Sequence, residues 1–274
     1  MRRAYGGGVT NIVSREVLPT PEVLRPWIAG IGSVWVGDVP SEPFVHLPEA
    51  ATKVVVRTGE NGTRSALVVG PRARASYHRG KRRASCVELR LAPGTVRPLL
   101  GIPAVDLVGR AVQLGELPDP FARQLAQALR RLEPEEALAH LADVLPERLA
   151  ATTDPSRTEL VRAGVDAMSV RTGRTPAQVA EVARELAVSE RQLRNLFTEG
   201  VGLSPKHYAR INRVRTVLDH AATRPWADLA ASTGYYDQSH MTTDFRTLMG
   251  VPPRSFFTGR LPAARPCQAA LAGR

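Results

Sequence analysis

The sequence predicts a two-domain α+β fold, with a small β-barrel-like domain and two helices followed by an all-helical domain. Three observations favour this fold. Short β-branched runs broken by turn residues fill positions 31–91, and the apolar residues beyond them recur at three- and four-residue spacings. Turn formers without a hydrophobic period occupy 146–156. The predicted boundaries are 1–150 for the first domain, 151–156 for a linker, 157–259 for the helical domain and 260–274 for a disordered tail.

The formal net charge of +11 indicates a polyanionic partner, although only three of the 37 basic residues are lysines. Arginine suits phosphates and guanine edges, but a codon bias towards arginine is an alternative explanation. No apolar run approaches the roughly 18 residues that a membrane span needs. No apolar stretch follows the basic start MRRAYGGGVT, so no signal peptide is expected. The expected location is the cytoplasm, without membrane contact.

The strands of the first domain are predicted from alternating or β-branched runs. Asn61-Gly62 lies between two such runs and predicts a hairpin with a tight turn, because that turn needs positive φ. Beyond Leu91 the pattern becomes helical. The predicted strands are 34–36, 53–57, 66–69 and 86–91, and the predicted helices are 120–132 and 134–145. The helices are interpreted either as a homodimer interface or as a cap on the barrel.

A small effector pocket is one interpretation of the aromatic residues in these strands; ordinary core packing is the other. No metal or cofactor is expected, because His46 and His78 do not form a tight His-x-His pair with a nearby glutamate. Cys86 and Cys267 are too few for a zinc site or a disulfide framework, and no catalytic residue is assigned. The candidate pocket residues are Trp35, Phe44, Tyr77 and His78.

A first helix-turn-helix is predicted within 175–202. Thr175 and Pro176 are typical of a helix start, and Ser189-Glu190-Arg191-Gln192 forms a capping box for the next helix. Leu193 and Phe197 give that second helix an inward stripe. Arginine and asparagine side chains on its outer face are those that hydrogen-bond guanine and adenine edges. The outward residues are Arg191, Asn195 and Thr198, with Arg194 on the flank.

A second helix-turn-helix is predicted within 226–250. A short helix ends at Thr233-Gly234, and Asp237 is a suitable N-cap for the next. Between the two units, Ser204-Pro205 begins a long helix that is expected to hold the recognition helices about 34 Å apart, one turn of DNA. The inward stripe of the second recognition helix is Met241, Phe245 and Leu248. Its outward residues are Ser239, Thr243 and Arg246, with Gln238 and Thr242 beside them.

These two motifs, in this order and at this separation, resemble the DNA-binding domain of the AraC/XylS family of transcriptional regulators. The resemblance covers 175–257, including SERQLRNLFTEGVGLSPKHYARINRVRTVL and WADLAASTGYYDQSHMTTDFRTLMGVPPRSFF. It implies a seven-helix domain that binds double-stranded DNA and activates or represses promoters, with RNA polymerase as a partner of an activator. It also implies an effector or dimerisation domain at the other end.

The resemblance places Arg191, Arg194 and Asn195 on base-reading positions of the first unit. Gln238, Ser239 and Thr242 fall on the corresponding face of the second. Thr243 stands where a long basic residue is common, and Asp244 beside it is expected to repel phosphates. We therefore expect the first unit to supply most of the specificity and the second mainly backbone contacts.

The first domain bears a weaker resemblance, carried by GPRARASYH and LAPGTVRPLLG, to the cupin-like amino-terminal domain of one branch of that family. Two alternatives stay open. One is a DNA-repair-type enzyme that transfers alkyl groups to an activated cysteine and uses the helix-turn-helix as an accessory. The other is an interaction scaffold that keeps the helical packing without reading bases.

Overall fold

In the computed structural model of this protein, a sheet-rich first half with three helices is followed by a helical region. The structure describes residues 13–36, 44–79, 84–152, 154–170 and 176–266. The strands are β1 (Val13–Leu18), β2 (Ile28–Val36), β3 (Phe44–His46), β4 (Lys53–Gly59), β5 (Arg64–Val69), β6 (Ser76–Arg79), β7 (Ala84–Leu91), β8 (Ala111–Gln113) and β9 (Arg265–Pro266). The helices are α1 (Val96–Leu100), α2 (Pro120–Arg131), α3 (Pro134–Thr152), α4 (Pro155–Ala167), α5 (Val179–Glu185), α6 (Glu190–Gly200), α7 (Pro205–His220), α8 (Trp226–Ser232), α9 (Gln238–Met249) and α10 (Pro253–Phe257).

The larger sheet has six antiparallel strands in the order β1-β2-β7-β4-β5-β8. Its apolar residues pack against α1, α2 and α3, because Val54, Val68 and Leu89 on the sheet are almost fully buried together with Leu125 and Leu141 on the helices. The smaller sheet has the order β3-β6-β9, with β9 parallel to β6. The sheet-rich first half and the helical second half confirm the predicted fold class.

All four predicted strands are present, and β4 and β5 form the predicted hairpin. Its loop is longer than the predicted tight turn. The pairing ends at Thr58 and Arg64, and the backbone N–H of Gly62 donates to the carbonyl of Gly59 over 3.0 Å. Gly62 has φ of +73°, which explains the glycine at this position.

The prediction that 146–156 lacks regular structure, with a linker at 151–156, is wrong for 146–152 and for 155–156. Helix α3 continues through Pro146 to Thr152, and α4 already begins at Pro155. Leu145 and Leu149 are fully buried and extend the stripe of Leu141 at four-residue spacing. Burial of these leucines offsets the backbone hydrogen bond that a proline inside a helix removes, a loss of about 3 kcal/mol.

The predicted disordered tail is also wrong for residues 260–266, while 267–274 lie outside the described residues. The tail returns to the first half of the chain, where Arg265 pairs with His78 in β9 and β6. Arg79 donates from its guanidinium to the carbonyl of Ala264 at 3.1 and 3.2 Å. Leu261 packs on the apolar cluster of α7–α10. The segment has few apolar residues, but backbone pairing and this contact order it.

Two apolar clusters organise the helical half. One joins α4, α5 and α6 through residues such as Val161, Val182 and Phe197. The other joins α7 to α10 and also contains Val45 and Tyr77 of the smaller sheet. Helix α7 contributes residues to both clusters, so the pairs α5–α6 and α8–α9 both pack against it. None of the helices that the structure describes is long and apolar enough to cross a membrane.

Candidate nucleic-acid interface

Helices α5 and α6 form the first predicted helix-turn-helix. Helix α5 begins at Val179, later than the predicted start at Thr175, which lies outside the described residues. Its first turn is closed by the backbone N–H of Gln178, which donates to the Glu181 carboxylate over 2.9 Å. The turn between the helices contains Ala187 at φ of +52°, a left-handed conformation without a glycine.

Helix α6 corresponds to the predicted first recognition helix, and the predicted capping box at its start is present. The Ser189 hydroxyl accepts from the Gln192 N–H over 3.1 Å, while the Gln192 side chain accepts from the Ser189 N–H over 2.9 Å. Leu193, Leu196 and Phe197 are buried, so the opposite face is turned outward.

All four site residues predicted on α6 lie on or beside this outward face. Arg191, Arg194 and Asn195 are exposed, and Thr198 is half-buried with its hydroxyl donating to the Arg194 carbonyl over 2.8 Å. Arg194 forms an ion pair with Glu190 one turn earlier. The geometry therefore presents Arg191 at the first turn of the helix, where side chains of recognition helices meet base edges.

Helices α8 and α9 form the second unit as predicted. Helix α8 ends at Ser232, and Gly234 follows with φ of +75°. Asp237 caps α9 by accepting from the His240 N–H over 2.7 Å. Met241, Phe245 and Leu248 are buried, as the sequence pattern predicts. Of the predicted site residues, Gln238, Ser239 and Arg246 are exposed and Thr242 is half-buried.

The expectation that Asp244 repels phosphates is wrong, because its side chain points inward. The carboxylate is only 9% exposed and accepts from Arg210 Nε over 2.9 Å, with Arg213 at 3.6 Å. Both arginines belong to α7. Two cations therefore neutralise Asp244, and the ion pairs attach the second recognition helix to α7.

Arg213 also stacks on the Tyr235 ring, with the guanidinium carbon 4.8 Å from the ring centroid. Burial, followed by the charge of Asp244, raises the pKa of Tyr235 above its usual range. The Tyr235 ring thus stays neutral and packs under the turn that leads into α9, so the turn and the helix are held by the same arginine.

Tyr236, which was not among the predicted site residues, is 93% exposed and directly precedes the N-cap of α9. Its neighbour Tyr235 is buried, so the Tyr-Tyr pair divides between the core and the surface. A large aromatic side chain at the N-terminal end of a recognition helix is suited to contact a DNA backbone. The signal in the sequence was the doublet itself, placed between Gly234 and Asp237.

Phe44, Tyr77 and His78, three of the proposed pocket residues, do not line either of the two clefts described below. Phe44 and Tyr77 are buried, while His78 is half-buried and its Nε2 lies 2.9 Å from the Ser76 hydroxyl. Burial lowers the pKa of His78 and raises that of Tyr77 to about 12. The side chain of Trp35 lies outside the described residues.

Two clefts of about 430 and 490 Å³ are lined by other residues, at the junction between the first half of the chain and α4, α6 and α7. The first is lined by Glu49, Thr52, Arg90 and Arg215 among others. Glu49 is buried and forms ion pairs with Lys53 at 2.8 Å, Arg90 at 3.4 Å and Arg215 at 3.5 Å. Across the described part of the chain, no group of three or more histidine, cysteine or acidic residues is arranged to hold a metal ion.

Comparison with known proteins gives a family match for the helical half only. A family model described as a helix-turn-helix domain matches residues 182–259. This span begins inside α5 and ends just after α10, so it covers both helix pairs except for the first three residues of α5. None of the curated proteins matches the chain.

Solved structures similar to this chain include a transcriptional regulator from Chromobacterium violaceum that is described by its AraC-type DNA-binding domain. It is 24% identical, covers 39% of this chain and 96% of its own, and has a TM-score of 0.32. The C-terminal domain of the response regulator AraT from Geobacillus stearothermophilus is 20% identical over 40% of this chain and 89% of its own, with a TM-score of 0.33. ToxT from Vibrio cholerae is 10% identical over 83% of this chain and 96% of its own, with a TM-score of 0.40.

The matched span includes the turn of each helix pair, the buried stripes of α6 and α9, and their N-caps Ser189 and Asp237. Residues 182–259 of this chain form a helix-turn-helix domain.

Proposed function

We propose that the chain is a sequence-specific DNA-binding transcriptional regulator that inserts α6 and α9 into successive major grooves. The observation that carries the proposal is the tandem arrangement: two helix-turn-helix units share α7, and each recognition helix turns a polar face outward while its apolar stripe is buried. Simple solvation of a helix face does not explain why the same arrangement occurs twice around one shared helix. The net charge of +11 adds long-range attraction to DNA.

The two units are proposed to contribute unequally. Arg191 is exposed and makes no ion pair or hydrogen bond within the described residues, so its guanidinium group is available to donate hydrogen bonds to a guanine edge. The outward residues of α9 include two threonines and a serine, which form shorter and less discriminating contacts. Thr243 already donates its hydroxyl to the Ser239 carbonyl over 2.9 Å. We therefore assign most of the base discrimination to α6 and mainly backbone contacts to α9.

The finer parts of the proposal are a small effector, a homodimer and, for an activator, a contact with RNA polymerase. The cleft of about 430 Å³ at the junction supports an effector, because it lies between the two halves that an effector has to couple. The apolar stripes of α2 and α3 are buried in their own chain, so a homodimer has to use another surface. Sedimentation equilibrium of the full-length chain with and without duplex DNA tests that part.

The test of the function is selection of bound duplexes from a random library by the full-length chain at about 150 mM salt, which weakens binding through phosphates alone. We expect an enriched sequence with two blocks separated by about one helical turn. Equal recovery of all sequences contradicts base reading and favours a structural scaffold. An Arg191→Ala chain in the same selection is expected to lose the first block only.

A further inference from the structure

The first half of the chain touches the C-terminal end of the second recognition helix, α9. The backbone N–H of Ala75 donates to the Leu248 carbonyl over 2.7 Å, and the Tyr77 hydroxyl donates to the Met249 carbonyl over 2.6 Å. Carbonyls in the last turn of a helix have no partner inside the helix. Here they are satisfied by the segment that leads into β6 and by β6 itself.

The same half of the chain touches the C-terminal end of the first recognition helix, α6. The backbone N–H of Gly94 donates to the carbonyl of Gly200, the last residue of α6, over 3.1 Å. The backbones approach so closely that a Cβ added at Gly200 would lie 3.3 Å from the Gly94 Cα and 3.0 Å from the Val161 methyl groups. Arg97 adds an ion pair to Glu199 at 3.4 Å.

A short path of backbone hydrogen bonds joins the two contact points within the first half of the chain. Leu91, three residues before Gly94, donates to the Thr52 carbonyl over 3.0 Å. Glu49 and Arg72 exchange two backbone hydrogen bonds of 2.9 and 2.7 Å. The segments around positions 50, 72 and 91 are thereby held in register, and the buried ion pairs of Glu49 reinforce them.

We propose that the first half of the chain sets the spacing of the two recognition helices by holding both at their C-terminal ends. The end contacts are those of Ala75 and Tyr77 on α9 and of Gly94 on α6. They leave the N-terminal ends of both helices exposed, including Arg191, Gln238 and Ser239. Tyr77 and Gly94 are thus positioning residues for DNA recognition, although neither faces the outward surface.

This inference rests on the proposed DNA binding, and it predicts a property that DNA binding alone does not require. One added base pair moves the second block by about 3.4 Å and rotates it by about a tenth of a turn. Recognition helices joined only through α7 can adjust to such a shift by small rotations of each unit. Helices that are also held at their C-terminal ends cannot adjust in this way. The full-length chain is therefore expected to bind tightly only when the two DNA blocks have one particular spacing.

The experiment measures affinities of the full-length chain for the duplex enriched in the selection, with its spacer unchanged or altered by one and two base pairs in each direction. The wild-type chain is expected to lose about tenfold or more in affinity when the spacer changes by one base pair. Tyr77→Phe removes the hydroxyl that donates to the Met249 carbonyl. The affinity of this variant is expected to fall only about two- to threefold when the spacer is altered in the same way. At the original spacer its affinity is expected within about threefold of wild type.

Two further variants separate positioning from stability. Tyr208→Phe removes a hydroxyl that lies 2.9 Å from Ser169 within the helical half, so it is a matched loss of one hydrogen bond outside the end contacts. It is expected to keep the wild-type spacing profile. Gly94→Ala places a Cβ 3.3 Å from Thr158 of α4 at a φ of +85°, which strains the segment that donates to α6. It is expected to relax the profile as Tyr77→Phe does.

Urea unfolding of each variant verifies that the chain is folded before its profile is compared. A Tyr77→Phe chain with the wild-type spacing profile would overturn the inference. Tighter binding of that variant at every spacer also overturns it, since the contacts would then restrain the helices in an unsuitable geometry. A wild-type chain that enriches a sequence without any preferred spacing contradicts the inference alone, whereas a chain that enriches nothing contradicts the proposed function.

Discussion

Arg210 on α7 donates from Nε to Oδ1 of Asp244 on α9 over 2.9 Å, and this partly buried contact joins the long helix to the predicted second recognition helix. An acidic residue in a recognition helix would repel DNA if it faced outward. Here the same residue faces the protein, because two arginines on α7 provide its partners. The orientation of α9 therefore depends on electrostatics as well as on its apolar stripe.

We expect Asp244→Asn to lower the free energy of unfolding by about 2 kcal/mol, since it leaves Arg210 and Arg213 without a carboxylate. The loss is smaller than that of a fully buried pair because both arginines reach solvent in part. Urea unfolding measures it. Asp228→Asn, at an exposed position of α8, is the control and is expected to cost about 0.5 kcal/mol or less. Equal losses in the two variants would argue against the ion pair.

Arg191→Ala is expected to weaken binding to the selected duplex by about 1–3 kcal/mol, because it removes the exposed fork at the first turn of α6. Thr243→Ala is the comparison variant and is expected to have little effect. A gel-shift series on the cognate duplex and on one with a scrambled first block gives both numbers. The reverse order of effects would contradict the assignment of specificity to the first unit.

Tyr236→Ala is expected to weaken DNA binding by about two- to tenfold, because it removes an exposed ring and hydroxyl beside the N-terminus of α9. The midpoint of urea unfolding should not change, since the side chain is 93% exposed. Val17→Ala, at another exposed position but on β1, is the control. Unchanged affinity of the Tyr236 variant would exclude this residue from the interface.

Acid is expected to destabilise the protein partly through Glu49. Burial raises the pKa of this carboxyl, but Lys53, Arg215 and Arg90 lower it by more, so the folded-state pKa lies well below the ordinary value of 4.5. Glu49 therefore contributes stability that is fully present above about pH 4.5 and is lost as the pH falls, by up to about 1.4 kcal/mol per pH unit.

Urea unfolding at about pH 5 and pH 3 checks this prediction. Glu49→Gln should be less stable than wild type at pH 5 and should lose less stability on going to pH 3. Glu116→Gln, at an exposed position, is expected to follow the wild-type pH dependence. Parallel curves for wild type and Glu49→Gln would show that the buried ion pairs contribute nothing to acid sensitivity.

Replacement of alanine by glycine is expected to change the free energy of unfolding in opposite directions at positions 187 and 180. The φ of +52° at Ala187 costs an L-residue about 1–2 kcal/mol, so Ala187→Gly is expected to raise the free energy of unfolding by about 0.5 kcal/mol after the extra entropy of glycine. Ala180→Gly, at an exposed position within α5, should lower it by about 0.5–1 kcal/mol. Thermal unfolding of both variants measures these changes. A loss of stability in both variants would mean that the backbone at Ala187 is not strained.

The sequence predicted both helix-turn-helix units because their signals are local. Ser189 and Asp237 cap the helices that follow them, and the apolar stripes recur within a single helix. The role of Asp244 could not be predicted in this way, since its partner Arg210 lies 34 positions earlier. The spacing along α9 shows only that Asp244 borders the apolar stripe, and the fold decides which way it turns.

The errors in the first half of the chain have the same origin. Pro146 predicts the end of a helix, but the burial of Leu145 and Leu149 keeps the helix intact. The short strands β3 and β6 carry too few residues for a pattern. Tyr77, which was assigned to a pocket, instead donates to a carbonyl 172 positions later. Contacts between residues so far apart in the chain leave no trace in local spacing.

The pairing of β9 with β6 has a consequence for the order in which the parts of the protein fold during synthesis. A ribosome releases the chain from its amino terminus, so His78 emerges long before Arg265, its partner in the smaller sheet. The larger sheet can assemble during synthesis, but the smaller sheet acquires its third strand only when the helix-turn-helix domain has already been translated. A chain that stops at residue 260 thus leaves the edge of β6 unpaired, and the first half of the molecule completes its fold last.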